Sequence, residues 1–248
     1  SESLKGHFIS NIKNEINNPL ASILALSQNI LRKPHGIEPS VIKSLQLIYN
    51  EAHALDFQLD NIMTAAEIEA GQATPQWVDA NVSQIIDQIL HSFSTIIDKK
   101  QLTIQLRGDE HVHFVTDRHY FKIISTNLIS NAIKFSCDKG VVSILLAHTV
   151  DHLKLIIRDC GTGIRENDMQ KVFDRFTQLD SGTVKKFQGH GLGLSVVKDL
   201  VELLDGAITV SSSDEGSVFT IVLPVKLSDD GISTAFENGT EVLFDQSF

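Results

Sequence analysis

The sequence contains few of the residues that build covalent or metal-based frameworks. Its 248 residues include two cysteines, five prolines and one tryptophan, and aromatic residues make up 6%. Cys137 and Cys160 cannot form a metal site by themselves, and their spacing is not that of a disulfide-stabilised fold. We therefore expect both to be buried, reduced thiols.

Positive charge and long apolar runs are also scarce. Lys and Arg number 21 against 31 Asp and Glu, and the net charge of −10 argues against a nucleic-acid-binding surface. No apolar run approaches the roughly 20 residues that span a bilayer, and no signal peptide is visible. Because the chain begins at Ser1 without Met, we expect a fragment of a longer protein, one that lies in the cytoplasm even if its parent crosses a membrane.

The first predicted domain, residues 1–71, is a pair of long helices. Apolar residues recur every three, four or seven positions from Leu4 to Arg32, which is helical periodicity, and Pro19 lies inside this helix. After the break at Pro34–Pro39, Ser40 is the expected N-cap of a second helix, which ends near Gly71. An antiparallel hairpin cannot bury both apolar stripes alone, so a dimeric four-helix bundle is predicted.

The remaining sequence predicts an α+β fold, an α/β sandwich. Residues 72–80 are interpreted as a linker and first strand, residues 81–226 as the sandwich domain, and the polar residues 227–248 as a C-terminal linker. Helices in one group and mostly antiparallel strands in another define this class. Helices are predicted at Val82–Asp98, Arg118–Phe135 and Leu192–Leu204, and strands at Trp77–Val78, Leu102–Leu106, Val112–Val115, Val141–His148, Leu153–Asp159, Ala207–Ser211 and Val218–Pro224.

One predicted helix carries groups suited to a metal and a phosphate. Asn127 and Asn131 are one helical turn apart, so their side chains share a face. Amide oxygens are hard ligands that suit Mg²⁺, which prefers few protein ligands together with phosphates and water. Lys134, on the same side, can supply a positive charge to a phosphate. In isolation, the same residues would more often be solvated helix side chains.

A carboxylate between a strand and two glycines suits a purine ring. Asp159 closes an apolar strand and can accept a hydrogen bond from the exocyclic amine of adenine, while Gly161 and Gly163 let the backbone approach the ring. On its own, an Asp-x-Gly-x-Gly sequence also makes ordinary turns.

A second glycine-rich segment, with Gly189, Gly191 and Gly193, precedes the helix predicted from Leu192. Its amides and the helix N-terminus favour phosphate oxygens. A dinucleotide-binding fold would need a strand directly before these glycines, and the polar residues 178–188 do not predict one.

The segment from residue 177 to 188 is polar and contains Lys185 and Lys186, which suits a mobile lid over a nucleotide. Phe173 and Phe176 would pack the base of this lid, although plain core packing explains them equally well. Arg175 or a lid lysine is a candidate for the terminal phosphate.

In order and spacing, the four segments resemble the N box, the two glycine boxes and the F box of sensor histidine kinases, within the ATPase family shared with gyrase and Hsp90 chaperones. The first helix resembles the H box of the same kinases, because its residues Phe8, Glu15, Asn18, Pro19 and Leu20 match. The resemblance covers nearly all of Leu4–Pro224. It implies ATP and Mg²⁺ as cofactors, with the metal held by Asn131 and the nucleotide held by Asn127, Lys134, Asp159, Gly161, Gly163, Phe173, Arg175, Phe176, Lys185, Lys186, Gly189, Gly191, Leu192 and Gly193.

The resemblance also implies a two-component signalling enzyme, a homodimer that autophosphorylates and passes phosphate to an aspartate of a response regulator. It further implies a cytoplasmic fragment of an inner-membrane sensor. Asn14, however, occupies the position of the phosphate-accepting His. The lone pair of a carboxamide nitrogen is delocalised into the carbonyl, so we expect no phosphorylation there, even with Glu15 beside it as base or orienting group.

Two origins of Asn14 are open: an experimental substitution, near-isosteric with His, or a natural degenerate kinase. His7, two turns earlier, lacks a following acid and is treated as a surface or packing residue. Asn18 matches the position that orients water in regulator phosphatases, or else it caps the backbone freed by Pro19.

Two rival functions remain at this point. One is a non-catalytic scaffold or regulator phosphatase that binds nucleotide as an allosteric ligand. The other is an ATPase machine of the chaperone or topoisomerase type. The hairpin with Glu15, Asn18 and Pro19 argues against the ATPase machine, and so does the amide, rather than an acid, at Asn127.

Overall fold

The computed structural model describes residues 2–34, 36–108, 111–175, 177 and 191–226, except for the side chains of residues 2–15 and 17. The chain divides between residues 74 and 75 into two units. No helix within these ranges is both long enough and apolar enough to cross a membrane.

The first unit is a helical hairpin of α1 (Glu2–Arg32) and α2 (Pro39–Glu69). Pro19 lies inside α1, as predicted. The predicted N-cap, Ser40, is wrong, because α2 starts one residue earlier with Glu38 as N-cap and Pro39 in the first turn. Proline suits that position because its ring presets the helical φ and its missing N–H is one that the helix leaves unpaired. Gly71 has a φ of +63° and ends α2 in the expected left-handed conformation.

Much of the apolar surface of the hairpin faces solvent. Leu20, Ala52, Met63 and Ala65 are buried. Large apolar side chains nevertheless remain exposed along both helices, and among the described residues nothing covers them. They are Ile16, Ile23, Leu26, Ile30, Val41, Leu47, Ile48, Leu55 and Ile62.

The second unit contains two sheets. A two-stranded antiparallel sheet pairs β1 (Val78–Asn81) with β3 (His113–Thr116). A five-stranded sheet has the order β2-β4-β5-β7-β6, in which only the β2–β4 pair is parallel. Its strands are β2 (Thr103–Gly108), β4 (Val141–His148), β5 (His152–Arg158), β6 (Ala207–Ser213) and β7 (Gly216–Pro224).

In the described part of this unit there are four α-helices: α3 (Val82–Ser92), α4 (Ser94–Lys100), α5 (Arg118–Phe135) and α6 (Gly193–Leu203). The single helix predicted over Val82–Asp98 is wrong, because Phe93 breaks it with φ −98° and ψ 4°. The physical reason is packing: Ile85, Ile86 and Ile89 of α3 are buried, whereas α4 buries no residue. The loop-rich stretch after β5 contains two short 3₁₀ turns, Glu166–Asp168 and Lys171–Phe173.

The helices cover one face of the five-stranded sheet. Alternate residues of its central strands are buried, and α5 packs on β5 between α3 and α6. At the start of α5, Asp117 Oδ1 accepts a hydrogen bond from the Tyr120 amide at 2.9 Å, and Asp117 Oδ2 accepts one from the Gln76 amide at 2.8 Å. The predicted α+β sandwich, with helices in one group and mostly antiparallel strands in another, is confirmed.

Lys100 holds the C-terminal end of α5. Its Nζ donates hydrogen bonds to the carbonyls of Ile133 at 3.0 Å, Lys134 at 2.8 Å and Ser136 at 2.6 Å. The last carbonyls of a helix have no partner within the helix and carry its partial negative charge, so an ammonium group is a favourable cap.

Replacing Lys100 with Met keeps the length of the stem but removes all three hydrogen bonds. We expect the free energy of unfolding of the second unit to fall by about 2 kcal/mol, the range for hydrogen bonds to a charged group. The fluorescence of Trp77, the one tryptophan of the chain, follows urea unfolding of this unit. Lys99→Met, at the exposed neighbouring position, is the matched control, and equal stability of the two variants would contradict this role of Lys100.

Candidate functional site

The C-terminal half of α5 carries two side-chain amides and a lysine. Asn127 is buried, and its Nδ2 donates to the Ile123 carbonyl at 3.0 Å, which orients the side chain. Asn131 and Lys134, one and two turns further along, are half-buried. Burial lowers the pKa of Lys134, because the charged ammonium is poorly solvated there.

Asp159, directly after β5, is a buried carboxylate held by two backbone amides. Its Oδ1 accepts hydrogen bonds from the amides of Gly161 at 2.9 Å and Ser217 at 3.2 Å. Burial raises the pKa of Asp159, and these two hydrogen bonds only partly oppose that effect. Within the described part of the chain, Oδ2 receives no hydrogen bond, so one carboxylate oxygen has its lone pairs available.

The glycines after Asp159 are required by close backbone contacts. A Cβ on Gly161 would lie 2.6 Å from the Phe135 carbonyl at the end of α5. Gly163 has a φ of +70°, and a Cβ there would lie 1.9 Å from the Ser213 carbonyl of β6. The loop therefore packs directly on α5 and on the sheet, which places Asp159 next to the helix that carries Asn131.

The second glycine segment approaches the same helix. Gly191 has a φ of +67°, and Leu192 is the N-cap of α6 without a side-chain hydrogen bond. A Cβ on Gly193 would lie 2.4 Å from Asn127 Oδ1, so the first turn of α6 rests on this amide. Gly189 lies outside the described residues.

Arg175 is tied to α6 rather than directed at open space. Its guanidinium donates to Asp199 Oδ2 at 2.9 Å, and both side chains are half-buried. Phe173 ends the second 3₁₀ turn and is half-buried. The remaining lid candidates, Phe176, Lys185 and Lys186, lie outside the described residues.

Two serines that no sequence motif singled out support the loop. Ser212 Oγ accepts a hydrogen bond from the Ile164 amide at 2.7 Å and donates to the Gly216 carbonyl at 3.0 Å. Ser217 supplies one of the amides that bind Asp159. These contacts join residues 48 and 58 positions apart, so no local sequence signal could have identified the two serines.

Few of the candidate site residues in the hairpin have described side chains. The side chains of Asn14 and Glu15 lie outside the description, although both residues are in α1. Asn18 is exposed, and its carbonyl accepts a hydrogen bond from Ser22 Oγ at 3.0 Å.

The donor set in the second unit suits a hard cation that arrives with a phosphate. Within the described ranges, no three His, Cys, Asp or Glu side chains cluster into a metal site. Amide oxygens on α5 beside a glycine-lined helix N-terminus instead match the few protein ligands that Mg²⁺ takes when phosphates and water complete its shell.

Comparisons with known proteins agree with this division. Residues 4–71 match the family described as "His Kinase A (phospho-acceptor) domain". Residues 116–227 match "Histidine kinase-, DNA gyrase B-, and HSP90-like ATPase".

Two curated relatives are histidine kinases by name. The chain is 30% identical over 231 residues to hybrid signal transduction histidine kinase D of Dictyostelium discoideum, which covers 90% of this chain and 15% of that protein. It is 30% identical over 226 residues to the sensor histidine kinase TmoS of Ectopseudomonas mendocina, with 90% of this chain and 23% of TmoS covered. The chain thus spans less than a quarter of either relative.

Solved structures show the same fold. The chain aligns with the Acinetobacter baumannii histidine kinase AdeS at a TM-score of 0.57 and 23% identity, over 85% of this chain and 97% of that one. It aligns with full-length ShkA, crystallised in complex with AMPPNP, at a TM-score of 0.64 and 18% identity, over 88% of this chain and 46% of that one.

Proposed function

Because the chain belongs to the histidine kinases, as a core with a phospho-acceptor domain and an ATPase domain, we propose that it binds Mg-ATP in the site around Asp159. Asp159 carries the proposal. One of its oxygens is anchored by two amides, and the other is left to accept a hydrogen bond from the exocyclic amine of adenine. Guanine presents a carbonyl oxygen at that position, so the same carboxylate would repel it.

The phosphates would lie between α5 and the start of α6. We assign Mg²⁺ to Asn131, with Asn127 beside it, and a phosphate to Lys134, whose charged form a phosphate would stabilise against the effect of burial. The metal supplies charge neutralisation for the phosphates. The amides at Gly191, Leu192 and Gly193 favour phosphate oxygens at the N-terminus of α6. Gly161 and Gly163 would lie against the ring, and Gly189, Phe173, Phe176, Lys185 and Lys186 would complete the proposed site. Arg175 would reach the terminal phosphate only by leaving its ion pair with Asp199.

The reaction of the family would pass the γ-phosphate to position 14 and then to an aspartate of a response regulator. At position 14, an imidazole nitrogen would attack the phosphorus while the bond to the ADP oxygen breaks, with Glu15 accepting or orienting the proton. Asn14 offers no such nitrogen, so we propose that this chain binds ATP but does not autophosphorylate.

The partners follow from the hairpin. The exposed apolar side chains on α1 and α2 support a homodimer that closes a four-helix bundle. The second proposed partner is a response regulator receiver domain. We further propose that the parent protein is a membrane-anchored sensor and that this chain is its cytoplasmic part.

A second candidate activity is dephosphorylation of the regulator. The exposure of Asn18 favours this activity. Its side-chain amide makes no hydrogen bond with the described residues, so it is able to position a water molecule against an aspartyl phosphate. The purified chain with nucleotide would then shorten the lifetime of a phosphorylated regulator, and Asn18→Ala would not. If both leave the regulator untouched, the chain is a nucleotide-binding scaffold.

Calorimetric titration with ADP, with and without magnesium, tests the nucleotide site. We expect binding of ADP but not GDP, and a gain in affinity on adding magnesium. Asn131→Ala should lose that gain, about tenfold or 1.4 kcal/mol, because the metal loses its protein ligand. Asn50→Ala, at an exposed amide of α2, is the control. No heat with ADP and magnesium would overturn the proposed function.

A further inference from the structure

Two thiols meet beside Asp159. The Sγ atoms of Cys137 and Cys160 lie 3.1 Å apart, and both cysteines are free. Cys137 is exposed and Cys160 is half-buried, so the expectation of buried thiols is wrong. The reason is the turn after α5, which brings Cys137 to the surface next to the residue that follows Asp159. They are the only cysteines of the chain.

The turn at Gly140 brings the two sulfur atoms close together. A Cβ on Gly140 would lie 2.1 Å from Cys160 Sγ and 2.8 Å from Cys137 Sγ, so only glycine leaves room for both sulfurs. The Gly140 amide donates to the Cys137 carbonyl at 3.1 Å and closes the turn. The amide of Thr103 donates to the Gly140 carbonyl at 2.9 Å, which fixes the turn to β2. The two backbone hydrogen bonds of Gly140 therefore fix the turn that carries Cys137 beside Cys160.

The two thiols have different acidities. Partial burial raises the pKa of Cys160, but hydrogen bonds from the Cys137 thiol, the Ser136 hydroxyl and the backbone groups of Cys137 and Val141 together lower it below its ordinary value. The hydrogen bond to Cys160 raises the pKa of Cys137. The lowered pKa makes Cys160 the more readily ionised and therefore the better nucleophile of the pair, and the raised pKa of Cys137 suits the second, resolving thiol.

We propose that Cys137 and Cys160 form a dithiol–disulfide site that hydrogen peroxide oxidises, and that the closed disulfide weakens adenine nucleotide binding at Asp159. The second half rests on the proposed function.

The oxidation balances with one peroxide. The Cys160 thiolate attacks a peroxide oxygen, the O–O bond breaks, and the departing hydroxide takes a proton to give water, which leaves Cys160 as a sulfenic acid. The Cys137 thiol then loses its proton and attacks Cys160 Sγ, so that the S–S bond forms and the hydroxyl group leaves as a second water. Two thiols lose two electrons and two protons, and the peroxide is reduced to two waters.

The link to the nucleotide site is short. Cys160 lies between Asp159 and Gly161, which are joined across it by the hydrogen bond from the Gly161 amide to Asp159 Oδ1 at 2.9 Å. Bond formation draws the sulfurs from 3.1 Å to about 2.05 Å. The Cys160 amide already donates to Ser136 Oγ at 3.4 Å, so the segment moves against α5. The carboxylate and the glycine loop then shift away from the geometry that we assign to adenine.

Thiol labelling tests the disulfide on the full chain. After peroxide treatment and desalting, the denatured chain is reacted with a maleimide polymer that adds mass at each free thiol. We expect two additions before oxidation, none after it, two again after dithiothreitol, and a monomer mass lower by two hydrogens. Cys137→Ser, which cannot close the bridge, is the matched control and should not show that mass loss. Two labelled thiols after peroxide, or a bridge between chains, overturns the proposal.

Titration with ADP and magnesium tests the coupling. We expect the dissociation constant to rise roughly fivefold or more on oxidation, a usual size for coupling between two sites, and not to change in peroxide-treated Cys160→Ser, which lacks the thiol that attacks peroxide. An equal affinity of the reduced and the disulfide forms overturns the coupling. If the reduced chain binds no ADP, the proposed function has failed instead, and the labelling result still decides whether the disulfide forms.

Discussion

Asn14→His is expected to change a chain that takes up no label from γ-labelled ATP into one that does. An imidazole has a nitrogen lone pair that is free at neutral pH, whereas the lone pair of the Asn14 carboxamide is delocalised into its carbonyl. The substitution changes no other group, and Glu15 already follows the restored position. The label should be lost in acid and stable in alkali, as a phosphorus–nitrogen bond to imidazole requires.

Asn14→Gln is the matched control, because it changes the length of the side chain but keeps a carboxamide, and it should stay unlabelled. His7, two turns earlier in α1, is a possible confounding acceptor, so His7→Gln in the restored chain should retain the label. Label on the unaltered chain would contradict the role of position 14. Absence of label on the restored chain, with ADP binding intact, would favour the regulatory pseudokinase.

Asp159→Asn should weaken binding of ADP by about ten- to a hundredfold, which corresponds to the loss of one hydrogen bond to a charged group. Asn Oδ1 can still accept from the Gly161 and Ser217 amides, so the loop should keep its shape. The other arm of the side chain then becomes an N–H donor, directed at the amine of adenine, which is also a donor. Two N–H donors then face each other, so the hydrogen bond that recognises adenine is lost.

The same substitution should not destabilise the fold. Burial raises the pKa of Asp159 above its unfolded value, so this group favours the folded state when protonated and loses that contribution as the pH rises through its folded pKa. Above that pKa the ionised carboxylate is therefore a cost to folding that Asn removes. Thermal unfolding should show an equal or higher midpoint for Asp159→Asn, and its advantage should disappear toward acid pH.

Guanine nucleotides provide an internal control for Asp159→Asn. The new N–H donor faces the position where guanine has its carbonyl oxygen, so the affinity for GDP should not fall and the preference for adenine should shrink. Equal losses for ADP and GDP would mean that the variant damages the pocket generally. If Asp159→Asn leaves the affinity for ADP unchanged, Asp159 does not bind the nucleotide.

Local sequence signals were sufficient to predict the bounds of a helix or strand whose own residues determine where it begins and ends. The bounds of α5, Arg118–Phe135, and of β4, Val141–His148, are those predicted. Asp117 caps α5 through its own side chain, and the alternation in β4 matches its half-buried face. The resemblance to histidine kinases also pointed to the right pair of domains, because the motifs are short and local.

Sequence reasoning failed where a contact joins distant segments. The break at Phe93 reflects where the core ends, because α4 buries no residue although its sequence still suits a helix. Lys100 caps α5 from more than thirty positions away. Cys137 and Cys160 are 23 positions apart, and their proximity depends on the room left by Gly140. No periodicity within a single segment records such pairings.

The Ser212 hydroxyl connects the edge strand β6 to the glycine loop that follows Asp159, so hydrogen exchange in β6 should respond to changes in that loop. It bridges the Ile164 amide to the Gly216 carbonyl and also contacts Ser217 Oγ at 3.0 Å. We therefore expect the tip of the β6–β7 hairpin and the loop to open together. Hydrogen exchange at the hairpin amides should therefore slow when the neighbouring loop becomes ordered around a ligand. A pair of strands that touches no substrate would in this way register occupancy, at amides that mass spectrometry can follow peptide by peptide.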